Sequence, residues 1–174
     1  MATSETRDRP APAAPDRDEV KRGARSPAPC SGTPPYTLII PAYNEEARIP
    51  LLLSELAGAK GEVICICEGD DRTFSLISEF AEANPDVCIR CDRRAGRLGK
   101  GGAILEGMRQ ARAPLVGYTD ADASTSFSQM LALFEILNGA DVVIGSRWIE
   151  GSVIVREQGI GRRFESRVFN MIIR

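Results

Sequence analysis

Histidine is absent from the chain. This absence excludes Ser-His and Cys-His nucleophilic machinery, as well as imidazole proton shuttles. The first 35 residues also lack a long apolar run, so we expect neither a signal peptide nor a membrane span there. Positive charge is not in excess, because the formal net charge is −2 at pH 7. With no general attraction to polyanions, we expect no nucleic-acid partner.

Two regions differ in composition. Residues 1–35 hold seven of the eleven prolines, carry mixed charges and have almost no large apolar side chains. Such a segment cannot bury a core, so we predict a disordered, proline-rich tail. Residues 36–174 are long and apolar enough for one compact domain.

The five cysteines allow two interpretations: they are Cys30, Cys65, Cys67, Cys88 and Cys91. The pairs Cys65-x-Cys67 and Cys88-x-x-Cys91 could supply four thiolates to zinc. We favour burial instead, because Cys65 and Cys67 lie in an apolar run where cysteine behaves as a small hydrophobic residue. The odd count and the missing secretion signal indicate a reducing compartment, so we expect a cytoplasmic protein.

Short apolar runs alternate with helical patterns from Tyr36 onward, which indicates an α/β fold with a mostly parallel sheet. The predicted strands are Thr37 to Ile40, Val63 to Cys67, Val87 to Cys91, Leu115 to Thr119 and Asp141 to Gly145. The predicted helices are Glu46 to Ala57, Thr73 to Ala83, Gly101 to Ala111 and Ser128 to Leu137, with Ser128 as an N-cap. The forward ends of the strands should form the functional site.

Asp120-Ala121-Asp122 follows an apolar strand directly. Burying two unpaired carboxylates would be very costly. At the forward end of a strand they could instead bind Mg²⁺ or Mn²⁺, with the remaining coordination positions filled by diphosphate oxygens. In isolation, a solvated turn or an N-cap at Asp122 is the more frequent explanation of such a tripeptide.

Two other segments have residues that could bind a phosphate group. The run Gly99-Lys100-Gly101-Gly102-Ala103 could be a simple glycine turn that opens a helix, but such a turn exposes backbone N–H groups and Lys100 adds a positive charge. It lacks the spacing of a Walker motif. Gly145-Ser146-Arg147 follows another predicted strand, where Arg147 is either a surface residue or a phosphate ligand.

Five segments occur in a characteristic order: Ile39 to Glu46, Glu68 to Thr73, Arg97 to Ala103, Asp120 to Asp122 and Gly145 to Arg147. Together they resemble glycosyltransferase family two, and within it the dolichyl-phosphate glucose and mannose synthases. The resemblance covers Tyr36 to Arg174 and implies a GT-A fold, a Rossmann-like and mostly parallel sheet with flanking helices. Because GT-A domains continue for further elements, it also implies that the domain is incomplete at its C-terminal end.

The resemblance implies a role for each matching residue. Pro41, Tyr43 and Glu45 would line the nucleotide pocket, and Glu68 or Asp71 would reach the base or ribose. Many relatives have Asp-Asp-Gly-Ser-x-Asp at this second motif, whereas this chain has Cys67-Glu68-Gly69-Asp70-Asp71. Further along, the implied roles are metal binding by Asp120 and Asp122, catalysis by Asp122, stabilisation of the diphosphate by Lys100 and Arg147, and acceptor-phosphate binding by Arg163 and Ser166.

The implied reaction moves glucose or mannose from UDP-glucose or GDP-mannose to dolichyl or polyprenyl phosphate. A phosphate monoester is already anionic at neutral pH and can attack without a general base, which suits a chain without histidine and predicts inverting displacement. A hydroxyl acceptor and a nucleotide-sugar-binding fragment without turnover remain alternatives. A nucleotidyltransferase is disfavoured, because its glycine-rich loop should follow the first strand.

The C-terminal segment from Ile160 to Arg174 has apolar residues at helical spacing among several arginines. The pattern predicts an amphipathic helix that packs on the sheet or lies at a membrane interface. The second reading would place the chain peripherally at the cytoplasmic face of a membrane.

Overall fold

The computed structural model describes residues 22–25, 32–137 and 139–146. Strands and helices alternate from the second strand onward. The strands are β1 Arg22–Arg25, β2 Thr37–Tyr43, β3 Glu62–Glu68, β4 Ile89–Arg94 and β5 Val116–Tyr118. The helices are α1 Ile49–Glu55, α2 Thr73–Ala83, α3 Gly99–Gln110 and α4 Phe127–Ile136.

The five strands form one sheet in the order β1-β4-β3-β2-β5. Strands β2 to β5 are parallel, and β1 pairs antiparallel with β4. The α/β class and the mostly parallel sheet are therefore confirmed. The chain steps from β2 to β3 to β4 in one direction, then returns to place β5 on the other side of β2. This reversal creates a crevice at the carboxyl ends of β2 and β5, where open α/β sheets bind ligands.

The core lies on both faces of β3, whose seven residues are all buried. On one face Val63, Cys65 and Cys67 belong to a large apolar cluster that includes side chains of α1, α2 and α4. On the other face Ile64 and Ile66 cluster with Ala103 of α3. Helix α3 thus covers one side of the sheet, so that its first turn lies near the carboxyl ends of the strands.

Burial of Cys65, Cys67 and Cys91 confirms their interpretation as core residues. Burial raises the pKa of the Cys65 and Cys91 thiols, which opposes the thiolate form that zinc requires. Among the residues that the structure describes, no group of three or more histidine, cysteine, aspartate or glutamate side chains could hold a metal ion. Cys30 lies outside that part of the chain.

Helix α2 begins and ends where predicted, and the other predicted boundaries shift. Helix α1 starts at Ile49 rather than Glu46, because residues 46–48 form a turn and the backbone N–H of Glu46 donates to Asp71. Helix α4 starts at Phe127, so Ser128 is not its N-cap. Ser126 takes that place instead: its Oγ accepts from the backbone N–H of Gln129, and its own N–H donates to the Gln129 side chain.

The predictions about the two ends of the domain differ in outcome. Arg22–Arg25 form a strand within the predicted tail, and residues 1–21 and 26–31 lie outside the described residues, so disorder of the tail as a whole stays a prediction. The segment from Asp141 to Gly145 is not a strand, and Val142 and Ile144 are 75% and 77% exposed. A run of β-branched residues forms a strand only where a neighbouring strand satisfies its backbone hydrogen bonds, and composition does not reveal that neighbour.

Candidate active site

A cleft opens at the carboxyl ends of β2, β3 and β5, beside the first turn of α3. Its volume is about 220 Å³, below the roughly 300–1,000 Å³ of pockets that enclose a drug-sized ligand. The described walls therefore enclose part of such a ligand. They are formed by Pro41, Ala42, Tyr43, Glu45, Glu68, Arg97, Gly99, Lys100, Ala103, Asp120, Ala121 and Asp122.

The loops after β2 and β3 are joined by hydrogen bonds that set one wall of the cleft. Backbone N–H groups of Glu45 and Glu46 donate to Thr73 Oγ1 at 2.8 Å and to Asp71 Oδ2 at 3.0 Å. Asn44 Oδ1 accepts from the backbone N–H of Asp70 at 3.2 Å. Gly69 makes this approach feasible, because it has a φ of +95° and a Cβ there would lie 1.9 Å from Asn44 Oδ1.

Asp71, one of two residues expected to reach the base or ribose, is not part of the cleft wall. Its carboxylate accepts from the backbone N–H groups of Thr73 and Glu46, at 2.9 and 3.0 Å. Although burial opposes ionisation, the hydrogen bonds from Thr73 and Glu46 lower the pKa of Asp71. The structure uses Asp71 to join two loops, and its role as a nucleotide contact stays a prediction.

Glu68, the other candidate, faces the cleft but is only 5% exposed. Its carboxylate oxygens accept from the backbone N–H groups of Leu98, at 2.5 Å, and Gly99, at 3.3 Å. These two amides lie at the N-terminus of α3. The carboxylate at the end of β3 therefore caps α3, although α2 and β4 come between them in the chain. Glu68 therefore anchors the helix that carries Lys100.

The two aspartates expected to bind metal both line the cleft. Asp122 Oδ1 accepts from the backbone N–H of Ser124 at 3.0 Å. Burial alone would raise its pKa, but hydrogen bonds from Ser124 and the charge of Arg48 lower it. Asp120 is about half exposed, and its Oδ1 lies 2.6 Å from Lys100 Nζ. Three predicted site residues from two elements are thus brought to one place.

Glu45 extends the acidic side of the cleft. Its Oε2 lies 2.6 Å from Arg48 Nη2. Burial raises the pKa of Glu45, the nearby charges of Asp122 and Asp71 raise it further, and Arg48 acts in the opposite direction. Pro41, in β2, also lines the cleft, and its role in a nucleotide pocket stays a prediction.

Charge and donor type in the cleft fit a hard divalent cation. Glu45, Glu68, Asp120 and Asp122 line it against Arg97 and Lys100, a formal excess of two negative charges. An anionic diphosphate would be repelled unless a dication accompanied it. Asp120 and Asp122 would hold Mg²⁺ or Mn²⁺, since Mg²⁺ is commonly bound by one or two carboxylates together with substrate phosphates.

Arg97 also lines the cleft, although no role was predicted for it from the sequence. Its guanidinium carbon lies 4.4 Å from the centre of the Tyr43 ring, and both residues line the cleft. Tyr43 itself is 46% exposed, so its ring is available for stacking. Its sequence signal was its place at the start of the segment Arg97 to Ala103, one of the five segments that resemble the family.

Three predicted residues cannot be placed in this geometry. Arg147, Arg163 and Ser166 lie outside the described residues, as does the C-terminal segment 160–174. Gly145 and Ser146 are exposed and belong to a second compact unit that begins at Leu137. The roles of these residues toward phosphate remain predictions.

Comparison with known proteins supports the predicted class. Residues 37–173 match Glycosyl transferase family 2. The chain is 32% identical over 145 residues to polyprenol monophosphomannose synthase of Mycolicibacterium smegmatis, covering 78% of this chain and 54% of that protein. It is 30% identical over 128 residues to dolichyl-phosphate beta-glucosyltransferase of Dictyostelium discoideum, covering 64% and 39% respectively. The chain thus spans about half or less of these relatives.

Among solved structures, the crystal structure of S. aureus TarS matches with a TM-score of 0.45 and 22% identity, over 50% of this chain and 16% of that one. In the part of this chain that the structure describes, no helix is both long and apolar enough to cross a membrane.

Proposed function

Since this chain belongs to glycosyl transferase family 2, we propose that it forms the donor site of an inverting, metal-dependent hexosyltransferase. The donor is a nucleotide-diphosphate sugar, UDP-glucose or GDP-mannose, and the acceptor is a polyprenyl or dolichyl phosphate. The observation that carries the proposal is the meeting of Asp120, Asp122 and Lys100 in one cleft at the switch point of the sheet. The 32% identity to polyprenol monophosphomannose synthase, over 78% of this chain, supports the lipid-phosphate acceptor.

On the donor side, each residue has a distinct task. Tyr43 offers the base the ring face that Arg97 does not cover, and Pro41 and Glu45 shape the pocket beside it. Asp120 and Asp122 would hold a divalent cation, which would supply positive charge to the diphosphate. Lys100 then exchanges its contact with Asp120 for a phosphate oxygen and stabilises the departing nucleotide.

On the acceptor side, no proton has to be removed. A phosphate monoester is an anion at neutral pH, so its oxygen can attack the anomeric carbon directly and invert its configuration. This chemistry suits a chain without histidine. Arg163, Ser166 and Arg147 are the side chains that we assign to the acceptor and donor phosphates, by their positions in the family motifs. Because a polyprenyl chain resides in a bilayer, the proposal includes peripheral contact with the cytoplasmic face of a membrane.

The test is a transfer assay with radiolabelled UDP-glucose and GDP-mannose, polyprenyl phosphate and Mn²⁺. We expect label to enter the lipid phase with one donor, and the Asp122→Asn variant to lose at least about 100-fold of that activity. Asp86→Asn, an exposed residue after α2, is the matched control and should retain full activity. Circular dichroism should show the same fold in both variants. Undiminished metal-dependent transfer by Asp122→Asn would contradict the role given to the aspartates.

The same assay separates the alternatives. Label that enters a soluble sugar or a protein instead of the lipid would show a hydroxyl acceptor. Calorimetric binding of UDP-glucose or GDP-mannose without turnover would show a binding module, and the absence of both would overturn the proposed donor site. The anomeric configuration of the product tests direct displacement, because retention relative to the donor is incompatible with a single inversion.

A further inference from the structure

Among the residues that the structure describes, Arg97 differs from Lys100, which also lines the cleft, in having no acidic partner. Lys100 Nζ lies 2.6 Å from Asp120, which neutralises it when no substrate is present. Within residues 22–25, 32–137 and 139–146, the Arg97 guanidinium forms neither an ion pair nor a hydrogen bond. Its guanidinium carbon lies 4.4 Å from the centre of the Tyr43 ring.

The contact with Tyr43 positions Arg97 without consuming its hydrogen-bond donors. A guanidinium that lies over an aromatic ring still presents its five N–H groups at its edge, in a planar fork that matches two phosphate oxygens. The ring restricts a side chain that is otherwise exposed, so less rotational freedom is lost when an anion binds. Arg97 is therefore a cation held in the cleft with its hydrogen-bonding capacity unused.

The surroundings favour a phosphate as its partner. Arg97 immediately precedes Leu98, whose carbonyl begins α3, and the positive end of that twelve-residue helix adds to the local potential. Asp120 and Asp122 line the same cleft, so a divalent cation held by them and the Arg97 guanidinium could share one phosphate group.

We propose that Arg97 is a donor-binding residue that contacts the diphosphate of the nucleotide, and that Tyr43 holds it in place before the donor arrives. This inference rests on the proposed function, because it assigns a contact within the same donor site. Lys100 and Arg97 then have different tasks. Lys100 must leave Asp120 to reach phosphate, whereas Arg97 is available from the start.

The test compares nucleotides that differ by one phosphate. Calorimetric titrations with Mn²⁺ would measure binding of UDP and UMP, and of GDP and GMP, to the full chain and to two variants. Arg97→Met removes the charge while keeping a side chain of similar length. It should weaken binding of the diphosphate by about 10- to 100-fold and binding of the monophosphate by less. Arg97→Lys keeps the charge without the fork and should recover part of the loss.

A matched control is available in Arg93, whose guanidinium lies 5.8 Å from the Phe74 ring but does not line the cleft. Arg93→Met should bind both nucleotides as the unmodified chain does. Equal binding of the diphosphate by Arg97→Met and the unmodified chain would overturn this inference while leaving the proposed function intact. Equal losses for mono- and diphosphate would overturn it as well, because Arg97 would then act on the base or ribose. Failure of the unmodified chain to bind UDP or GDP would refute the proposed donor site and this inference together.

Discussion

Removal of the Glu68 carboxylate should loosen the start of helix α3. The two oxygens of this buried side chain accept from the backbone N–H groups of Leu98 and Gly99. No side chain of the N-terminal cap residue, Leu98, performs this task. The substitution Glu68→Ala leaves both amides without their protein acceptor, whereas Glu68→Gln retains one oxygen that can accept a hydrogen bond.

The expected magnitude follows from these two contacts. An orphaned buried donor costs about 1–3 kcal/mol, and loss of an N-cap costs about 0.5–2 kcal/mol. Water can replace part of the loss here, since Leu98 is 42% exposed. We therefore expect Glu68→Ala to lower the free energy of unfolding by about 2 kcal/mol, and Glu68→Gln by about 1 kcal/mol. Donor binding should weaken too, because α3 carries Lys100 into the cleft.

Urea unfolding at constant m-value measures the change in free energy, and amide hydrogen exchange locates it. Faster exchange should be confined to the first turn of α3. Glu82→Ala, an exposed position near the end of α2, is the matched control and should change stability by less than about 0.5 kcal/mol. If Glu68→Ala changed stability no more than this control, and exchange at Leu98 and Gly99 stayed slow, the capping role would be refuted.

Three further predictions concern stability and thiol chemistry. Gly107→Ala should lower the free energy of unfolding by about 1–3 kcal/mol, because the new Cβ would lie 2.5 Å from Ile39 Cγ2. Gly101→Ala, on the same helix, meets no atom within 4 Å and should be neutral or stabilising. Thermal unfolding measures both variants, and equal effects would contradict the prediction. The pKa of Glu62 is lowered, since hydrogen bonds from Thr37 and Arg112 outweigh its burial. The ionised Glu62 carboxylate therefore stabilises the fold above the unfolded pKa of about 4.5, and this contribution is lost as pH falls through the lower folded pKa. The difference in unfolding free energy between the unmodified chain and Glu62→Gln should shrink toward pH 3, and a difference that grows there would contradict the prediction. Finally, the buried thiols of Cys65, Cys67 and Cys91 should react with an alkylating reagent only after denaturation. Mass spectrometry measures the labelling, and rapid labelling of the folded chain would contradict their burial.

Features that depend on local sequence were predicted well. Helix α2 has the predicted ends, because Asn84-Pro85 directly follows it and the residue before proline disfavours helical geometry. The apolar run around Cys65 is a fully buried strand, as continuous apolar residues between helical patterns indicate. The family was also identified correctly, because its five motifs occur in order along the chain.

Features that depend on distant contacts were predicted less well. The sequence did not reveal that the carboxylates of Glu68 and Asp71 accept hydrogen bonds from distant backbone amides, those of Leu98 and Gly99 for Glu68 and that of Glu46 for Asp71. Their roles as nucleotide ligands stay predictions. The run from Asp141 to Gly145 has the composition of a strand, but a strand exists only where a neighbouring edge satisfies its backbone groups.

The sequence by itself determined the alternation of strands and helices, the burial of the cysteines and the placement of Asp120 and Asp122 directly after a strand, because these follow from periodicity and local backbone preference. Only the tertiary structure decided which charges meet. Lys100 is paired with Asp120 and Arg97 lies over Tyr43 because parallel strands bring the loops after β2 and β5 to the same edge, beside the start of α3. Pairing across such distances depends on strand order, and strand order is set by how the whole sheet buries its two faces.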